Sequence, residues 1–433
     1  MKKTLLLIAT LLASYVGMAQ ETYHPTAENL KAREQFQDDK FGIFLHWGLY
    51  SMMGTTEWIM TNRDINYKEY PKLAKTFYPS EFDADAWVKA IKAAGAKYIT
   101  ITTRHHDGFS LFKTATSTYN SVDGTPFKRD IIKEMADACQ RNGIKLHLYY
   151  SHLDWGREDY PVGRTGTGTG RPKEKANWAS YYKFMNTQLT ELLTNYGKVG
   201  AIWFDGWWDH DSDAKPFDWQ LEEQYALIHK LQPQCLVANN HHHTPFPGED
   251  IQIFERDLPG ENKAGLSGQS IGRLPLESCQ TINEHWGYNI TDTLYKSPKE
   301  LIQMLVRAAG KNANLLLNIG PEPGGALPEL ALNRLQSLGK WLNQYGETIY
   351  GTRGGIVDPH DWGVSTQRGN KLYIHILNCM DSSLFIPTGN HKIKSATVFG
   401  TNKRVNFTKT GNGITLNFDT IPTDIDYIVE LTL

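Results

Sequence analysis

The chain has 433 residues, 40% of them apolar and 21% charged, with a formal net charge of −2. That is enough apolar length for a large buried core, and so balanced a charge gives no electrostatic footing for nucleic acid or for an acidic membrane surface. Aromatic residues reach 12%, with 12 Trp and 21 Tyr, which favours a ligand-stacking surface beyond ordinary core needs.

Residues 1–19 have the parts of a secretory leader: Lys2 and Lys3, an apolar run from Leu5 to Val16, then Gly17 and Ala19. Cleavage is expected before Gln20, giving an exported protein, periplasmic or secreted. No later stretch approaches the roughly 20 apolar residues that cross a bilayer, so no membrane insertion is expected. Cys139, Cys235, Cys279 and Cys379 lie far apart in apolar segments and read as buried free thiols.

After a polar lead-in, Phe41 to Gly48 reads as a first strand ending in His46 and Trp47, followed by a loop with Glu57 and Trp58. Asp83 caps a helix to Ala94, and Tyr98 to Thr103 is a second strand running into Arg104-His105-His106-Asp107-Gly108. Asp130 caps the next helix and Gly143 stops it. Lys145 to Ser151 is a third strand, containing Tyr149 and leading to Asp154 and Trp155. Gly166-Thr167-Gly168-Thr169-Gly170 invites a phosphate-loop reading, but no Gly-Lys-Ser/Thr follows, so a mobile surface loop is expected.

A helix from Trp178 to Asn195 delivers the chain to Gly200-Ala201-Ile202-Trp203-Phe204-Asp205, a buried strand that stops at a carboxylate. The alternation continues with a helix from Asp218 to Leu231 and strands at Cys235 to Asn240, Ile251 to Glu255 and Leu276 to Ile282. Ser297-Pro298-Lys299-Glu300 is a capping box opening a helix. A last strand runs from Asn314 to Gly320 and a helix from Pro328 to Tyr345. Eight strands with interleaved helices or long loops predict a (β/α)8 barrel over residues 20–350. Beyond about Gly351 only strand-like segments separated by turns remain, predicting a C-terminal antiparallel β-sandwich over 351–433.

In a parallel barrel the carboxyl ends of the strands build the site. That rule gathers His46, Trp47, His105, His106, Tyr149, Trp203, Asp205, Glu255 and Glu277 on one face. A carboxylate ringed by indoles suits carbohydrate chemistry, because a sugar's apolar face stacks on an aromatic ring while a carboxylate meets positive charge at the anomeric carbon. The plainer alternative for Asp205 is a helix N-cap flanked by core tryptophans. The runs His105-His106 and His241-His242-His243 raise a metal centre, but neighbours on an extended strand face opposite ways, and no HExxH helix is present; the triple His reads as loop surface or site rim. No GxSxG elbow supports a serine hydrolase.

Phe41 to Ser51, Glu57-Trp58, Thr103 to Phe109, Tyr149-Tyr150-Ser151 with Asp154-Trp155, Trp203 to Gly206, Trp286-Gly287-Tyr288-Asn289 and Asn314 to Pro321 together resemble the α-L-fucosidases of glycoside hydrolase family 29. The resemblance implies an exo-acting, retaining enzyme that removes terminal α-L-fucose from glycans through a covalent intermediate, without cofactor or metal. It implies that Asp205 is the nucleophile and that His46, Glu57, Trp58, His105, His106, Tyr149 and Trp203 bind the sugar, with Trp286 against its C5 methyl group. Glu255 is the first choice for acid/base, Glu277 the second and Glu284 the third, the others being carboxylates paired with an Arg such as Arg256 or Arg273. Retention asks for an ionised nucleophile and a protonated partner, so a raised pKa is expected for the acid. A retaining glycosidase for another sugar, or a non-catalytic sugar-binding protein, are the alternatives.

Overall fold

The computed structural model describes residues 23–433; the expected leader lies outside the described residues. Eight parallel strands, Phe41–Leu45 (β1), Tyr98–Arg104 (β2), Lys145–Ser151 (β3), Ala201–Asp205 (β4), Leu236–Asn239 (β5), Gln252–Glu255 (β6), Leu276–Thr281 (β7) and Ala313–Ile319 (β8), form one sheet in the order β5-β4-β3-β2-β1-β8-β7-β6. The sheet curls until β5 and β6 meet, where a single parallel bridge joins Ala238 to Ile251 and the Asp250 amide donates to Val237 O at 2.7 Å. The result is the expected barrel, nearly closed, with its weakest seam between β5 and β6.

Parallel strands need crossover connections, and helices supply most of them. Ala84–Ala93, Ile131–Asn142, Trp178–Asn195, Leu221–Leu231 and Pro298–Gly310 each cross from one strand to the next, and Glu329–Tyr345 follows β8. Residues 240–251 and 256–275 cross without a helix. The capping residues expected from sequence do cap: Asp83, Asp130 and Ser297 accept from backbone amides three residues on. The helix expected from Asp218 starts later, at Leu221, because Gln220 takes a left-handed conformation (φ 53°) and Trp219 is buried.

Side-chain alternation along β4 sorts the core. Ile202 and Phe204 point out to the helices, whereas Ala201 and Trp203 join an inner cluster with Phe44, Tyr149 and Cys279. The lower end of the barrel is plugged by a helix, Ala27–Asp39, where the sequence read as a polar lead-in. Only Asn29 and Phe36 of this helix are buried, so it carries no apolar stripe for periodicity to detect. Phe36 enters the barrel, 5.4 Å from the Tyr98 ring, with Ala32 packed against the same inner cluster, and Arg33 pairs with Asp250 at 2.5 Å.

The C-terminal segment folds as two antiparallel sheets, as expected. Arg353–Gly354 (β9), Gly363–Arg368 (β10), Lys371–Ile376 (β11), Ser395–Val398 (β13) and Tyr427–Thr432 (β16) make the larger; Ser383–Ile386 (β12), Asn406–Thr410 (β14) and Gly413–Asn417 (β15) make the smaller. The short or polar strands β9, β10 and β12 were not legible in the sequence. The segment packs tightly on the helix Pro298–Gly310: a Cβ at Gly310 would sit 2.4 Å from Val364 Cβ.

Candidate active site

At the carboxyl end of the barrel the inward-facing positions become polar. His46, Asp205, Asn240 and Glu255 stand at or just beyond the ends of β1, β4, β5 and β6, around a cavity of about 530 Å³. Of the residues singled out in the sequence, His46, Glu57, Trp58, His105, His106, Trp203, Asp205, Glu255 and Trp286 all line it. Tyr149 is fully buried and lies behind this wall, reaching the site through its hydroxyl.

Asp205 ends β4, and Gly206 immediately turns the chain. Gly206 has φ 95°, and a Cβ there would stand 3.0 Å from the Leu153 amide nitrogen, so only glycine fits. Asp205 Oδ1 accepts from the Gly206 amide at 2.9 Å, from Trp208 Nε1 at 3.0 Å and from Asn240 Nδ2 at 3.4 Å. Oδ2 accepts from the Tyr149 hydroxyl at 3.1 Å, and His106 Nε2 lies 3.5 Å away. Burial, and then the charge of Glu255, push the Asp205 carboxyl up to about 6, against the hydrogen bonds from Trp208 and Tyr149. At neutral pH it is ionised, with donors aimed at both oxygens.

Glu255 faces it. Glu255 Oε2 accepts from Asn240 Nδ2 at 2.7 Å and pairs with His242 Nε2 at 2.9 Å. Asn240 thus touches both carboxylates. The expectation of a raised pKa for this group is overturned: burial pushes it up, but the hydrogen bond and charge of His242 outweigh burial and hold Glu255 below the usual range. His242 is correspondingly raised; burial opposes its charge, and Glu255 prevails.

The remaining wall is aromatic. Trp58 stacks on Trp208 with ring centroids 5.5 Å apart, and His105 stacks on Tyr149 at 5.3 Å. Phe44 and Trp286 meet at 6.2 Å and form an apolar corner. Glu57 is clamped by the Gly287 amide, which donates to its Oε2 at 2.9 Å. Burial keeps His46 neutral, its pKa lowered to about 4, and holds His105 and His106 well below the ordinary imidazole value. Neutral imidazoles can donate on one nitrogen and accept on the other, which suits hydroxyl groups. Beneath them the buried Arg104–Asp154 ion pair and the Trp155 amide, donating to His106 O at 2.7 Å, fix the turn that carries both histidines.

A family model described as Alpha-L-fucosidase matches residues 10–347. The chain belongs to the α-L-fucosidase family. Among curated relatives, the plasma α-L-fucosidase of Rattus norvegicus is 30% identical over 406 residues, covering 85% of this chain and 82% of the relative. Among solved structures, α-L-fucosidase isoenzyme 1 of Paenibacillus thiaminolyticus superposes with a TM-score of 0.83 at 35% identity, covering 94% of this chain and 99% of that one. A family 29 α-L-fucosidase of Bacteroides thetaiotaomicron, caught as a trapped covalent intermediate, superposes with a TM-score of 0.81 at 27% identity, covering 95% and 97%. The protein is therefore a glycoside hydrolase by family.

Within this fucosidase fold several sequence readings change. Trp47 leaves the site altogether: its indole packs against Phe82 and Trp87 and donates to Glu322 O at 3.0 Å. Glu277 sits one layer down, because β6 and β7 pair it with Ile253, while Cys279 pairs with Glu255. It accepts from Tyr98 at 2.7 Å and from Trp203 at 2.9 Å and does not line the cavity. Glu284 is exposed, and its carbonyl accepts from Arg256 at 3.0 Å. The glycine-rich loop is docked: the Gly166 amide donates to Thr61 Oγ1 at 3.0 Å, and a Cβ at Gly168 would collide with Asp64. Cavity residues that the sequence reading did not place in the site include Arg164, Trp208, Asp211, Asn240 and Asn262; His242 was read only as loop surface or site rim. His241-His242-His243 have separate partners, Glu249, Glu255 and the Trp207 ring. Among the described residues no group of three or more His, Cys, Asp or Glu is arranged to hold a metal. No helix of the described residues is long and apolar enough to cross a membrane.

Proposed function

We propose that the protein is an exo-acting, retaining α-L-fucosidase that releases terminal α-L-fucose from glycans, with Asp205 as nucleophile and Glu255 as acid/base. The observation that carries this reading is the Asn240 amide, 3.4 Å from Asp205 Oδ1 and 2.7 Å from Glu255 Oε2. The oxygens it bridges are no further apart than the sum of those contacts, which is compatible with the roughly 5 to 5.5 Å of a retaining pair. His46, Glu57, Trp58, His105, His106 and Trp203 supply the donors, acceptors and stacking faces for a sugar. Tyr149 orients the nucleophile from behind, and the Phe44–Trp286 corner gives a C5 methyl group an apolar seat.

In the first step Asp205 attacks the anomeric carbon as the glycosidic C–O bond breaks, and Glu255 delivers a proton to the departing oxygen. In the second, Glu255 takes a proton from water as the water oxygen bonds to the same carbon and the ester to Asp205 breaks. Two displacements return the original anomer. Incubation with an aryl α-L-fucoside, followed by proton NMR of the first sugar formed, should show α-L-fucose; β-L-fucose first, or no release, overturns the reading. An exported location is part of this proposal, supported by the leader-like residues 1–19, and cell fractionation with the native leader tests it.

A further inference from the structure

We propose that His242 is a positioning residue for Glu255, and that the two side chains hold a single catalytic proton between them, on the imidazole in the empty site and on the carboxyl group once sugar fills it. This rests on the reading of Glu255 as acid/base. His242 Nε2 and Asn240 Nδ2 both address Glu255 Oε2, at 2.9 and 2.7 Å, so that oxygen is fixed by two donors. Oε1 takes no hydrogen bond from the described residues and is left for the leaving group.

The backbone is built to aim this histidine. His242 has φ 65°, a left-handed conformation that is unfavourable for a non-glycine residue and persists where the surroundings impose it. They do: His241 is buried and tied to Glu249 at 3.0 Å, and the His243 amide donates to His241 Nδ1 at 3.0 Å. Between these anchors the His242 side chain can only face the cavity.

Electrostatics follows the geometry. His242 faces two carboxylates, Glu255 on β6 and Asp205 on β4, and one guanidinium, Arg164, from the connection between β3 and β4. His243, next in the chain, feels the charges of His241, His242 and Asp211, Asp211 lining the same cavity, and Arg256 acts on Glu255. In the open, wet cavity the ion pair is the stable form. A neutral sugar that displaces the water penalises the ion pair against the neutral pair of imidazole and carboxylic acid. As the sugar enters and before the last cavity water is expelled, the proton leaves Nδ1 and passes through that water to Oε1, while Nε2–H continues to donate to Oε2. During glycosidic cleavage the Oε1 proton goes to the leaving oxygen. During hydrolysis of the ester, a water proton returns to Oε1.

Two measurements test this. The alkaline limb of kcat/KM on an aryl α-L-fucoside reports loss of the shared proton; in His242→Gln, which retains a donor but cannot be charged, the limb should move down by about one pH unit. The variant should also lose about tenfold more activity on a poor leaving group than on a good one. An alkaline limb at the wild-type position overturns the proposal. Separately, 15N NMR should show His242 losing its proton at a lower pH in Glu255→Gln than in the wild type; identical titration overturns the proposal and does not depend on turnover. Failure of the wild-type protein to hydrolyse the fucoside would sink the fucosidase reading instead, and the NMR experiment would still decide the pairing.

Discussion

Trp203 donates its indole N–H to Glu277 at 2.9 Å, beneath the floor of the cavity. The same carboxyl group accepts from Tyr98 at 2.7 Å, so one buried acid holds the indole in the cavity wall from the layer below.

Glu277→Ala should therefore disturb binding rather than proton transfer. It leaves two buried donors unsatisfied, at about 1–3 kcal/mol each, and frees the indole to tilt. The expected result is a lower Tm and a KM raised severalfold or more, with the loss equal for good and poor leaving groups. A loss confined to poor leaving groups would return Glu277 to the role of acid.

Stability should also depend on pH through this group. Burial raises the Glu277 carboxyl to about 7, against the hydrogen bonds from Tyr98 and Trp203. Its folded pKa exceeds its unfolded one, so the native state binds the extra proton between about 4.5 and 7, and stability falls as pH rises through that window. Asp107 and Asp205, each raised to about 6 by burial, act in the same sense. Urea melts of Glu277→Gln between pH 4.5 and 7 should show a shallower decline than the wild type.

Asp205→Gly should reduce turnover by at least about a thousandfold while leaving the fold intact. Azide should restore part of it by filling the space of the carboxylate and attacking in its place. In the wild type, protonation of Asp205 removes the nucleophile, so kcat/KM should fall as pH drops below about 6. Normal turnover in the glycine variant would exclude Asp205 from the chemistry.

Tyr149→Phe removes the hydroxyl that donates to Asp205 Oδ2 at 3.1 Å. A hydrogen bond to a charged group is worth roughly 1.5–3 kcal/mol, so kcat/KM should fall about ten- to a hundredfold. Because that bond favours the ionised carboxylate, its acidic limb should move to higher pH. A limb that stays put would show that Tyr149 acts on the sugar alone.

Glu255→Ala should behave in the opposite way to Glu277→Ala. Turnover of an aryl fucoside with a good leaving group should change little in the bond-breaking step, whereas a natural glycan should lose on the order of 10²–10⁴-fold. Equal losses on both would remove Glu255 as acid.

The barrel and most of the site were legible because strand ends announce themselves. An apolar run that stops at a polar residue places that residue at the rim, and β1, β2, β4 and β6 each do so with His46, Arg104-His105-His106, Asp205 and Glu255. Depth is what such runs do not carry. Glu277 and Glu255 both face inward, but Glu277 is the second residue of β7 and Glu255 the last of β6, and only the register separates a floor residue from a wall residue. Trp47 misled for a related reason: beyond the last strand residue the twofold alternation no longer decides direction, and its indole turned out to the helices. Asn240 was legible only as a strand end and His242 only as loop surface or site rim, and neither reading joined them to Glu255. Their placement depends on a left-handed turn at His242 and on tethers to Glu249 and Glu255 that local sequence does not encode. The sign of the Glu255 shift was missed with them, since it is set by the His242–Glu255 pairing.

The seam between β5 and β6 lies between the two facing carboxylates, Asp205 and Glu255. Asp205 stands on β4, whose full parallel ladder to β3 and hydrogen-bonded pairing with β5 forbid it any independent shift. Glu255 stands on β6, anchored firmly on only one side, with helix-free crossings before and after it. Under the proposed mechanism, an insertion within 256–275 or a change in the 240–251 crossing would re-aim Glu255 toward a differently shaped leaving group while Asp205 keeps its place, so this architecture would leave aglycone preference free to drift without endangering the bond-forming step.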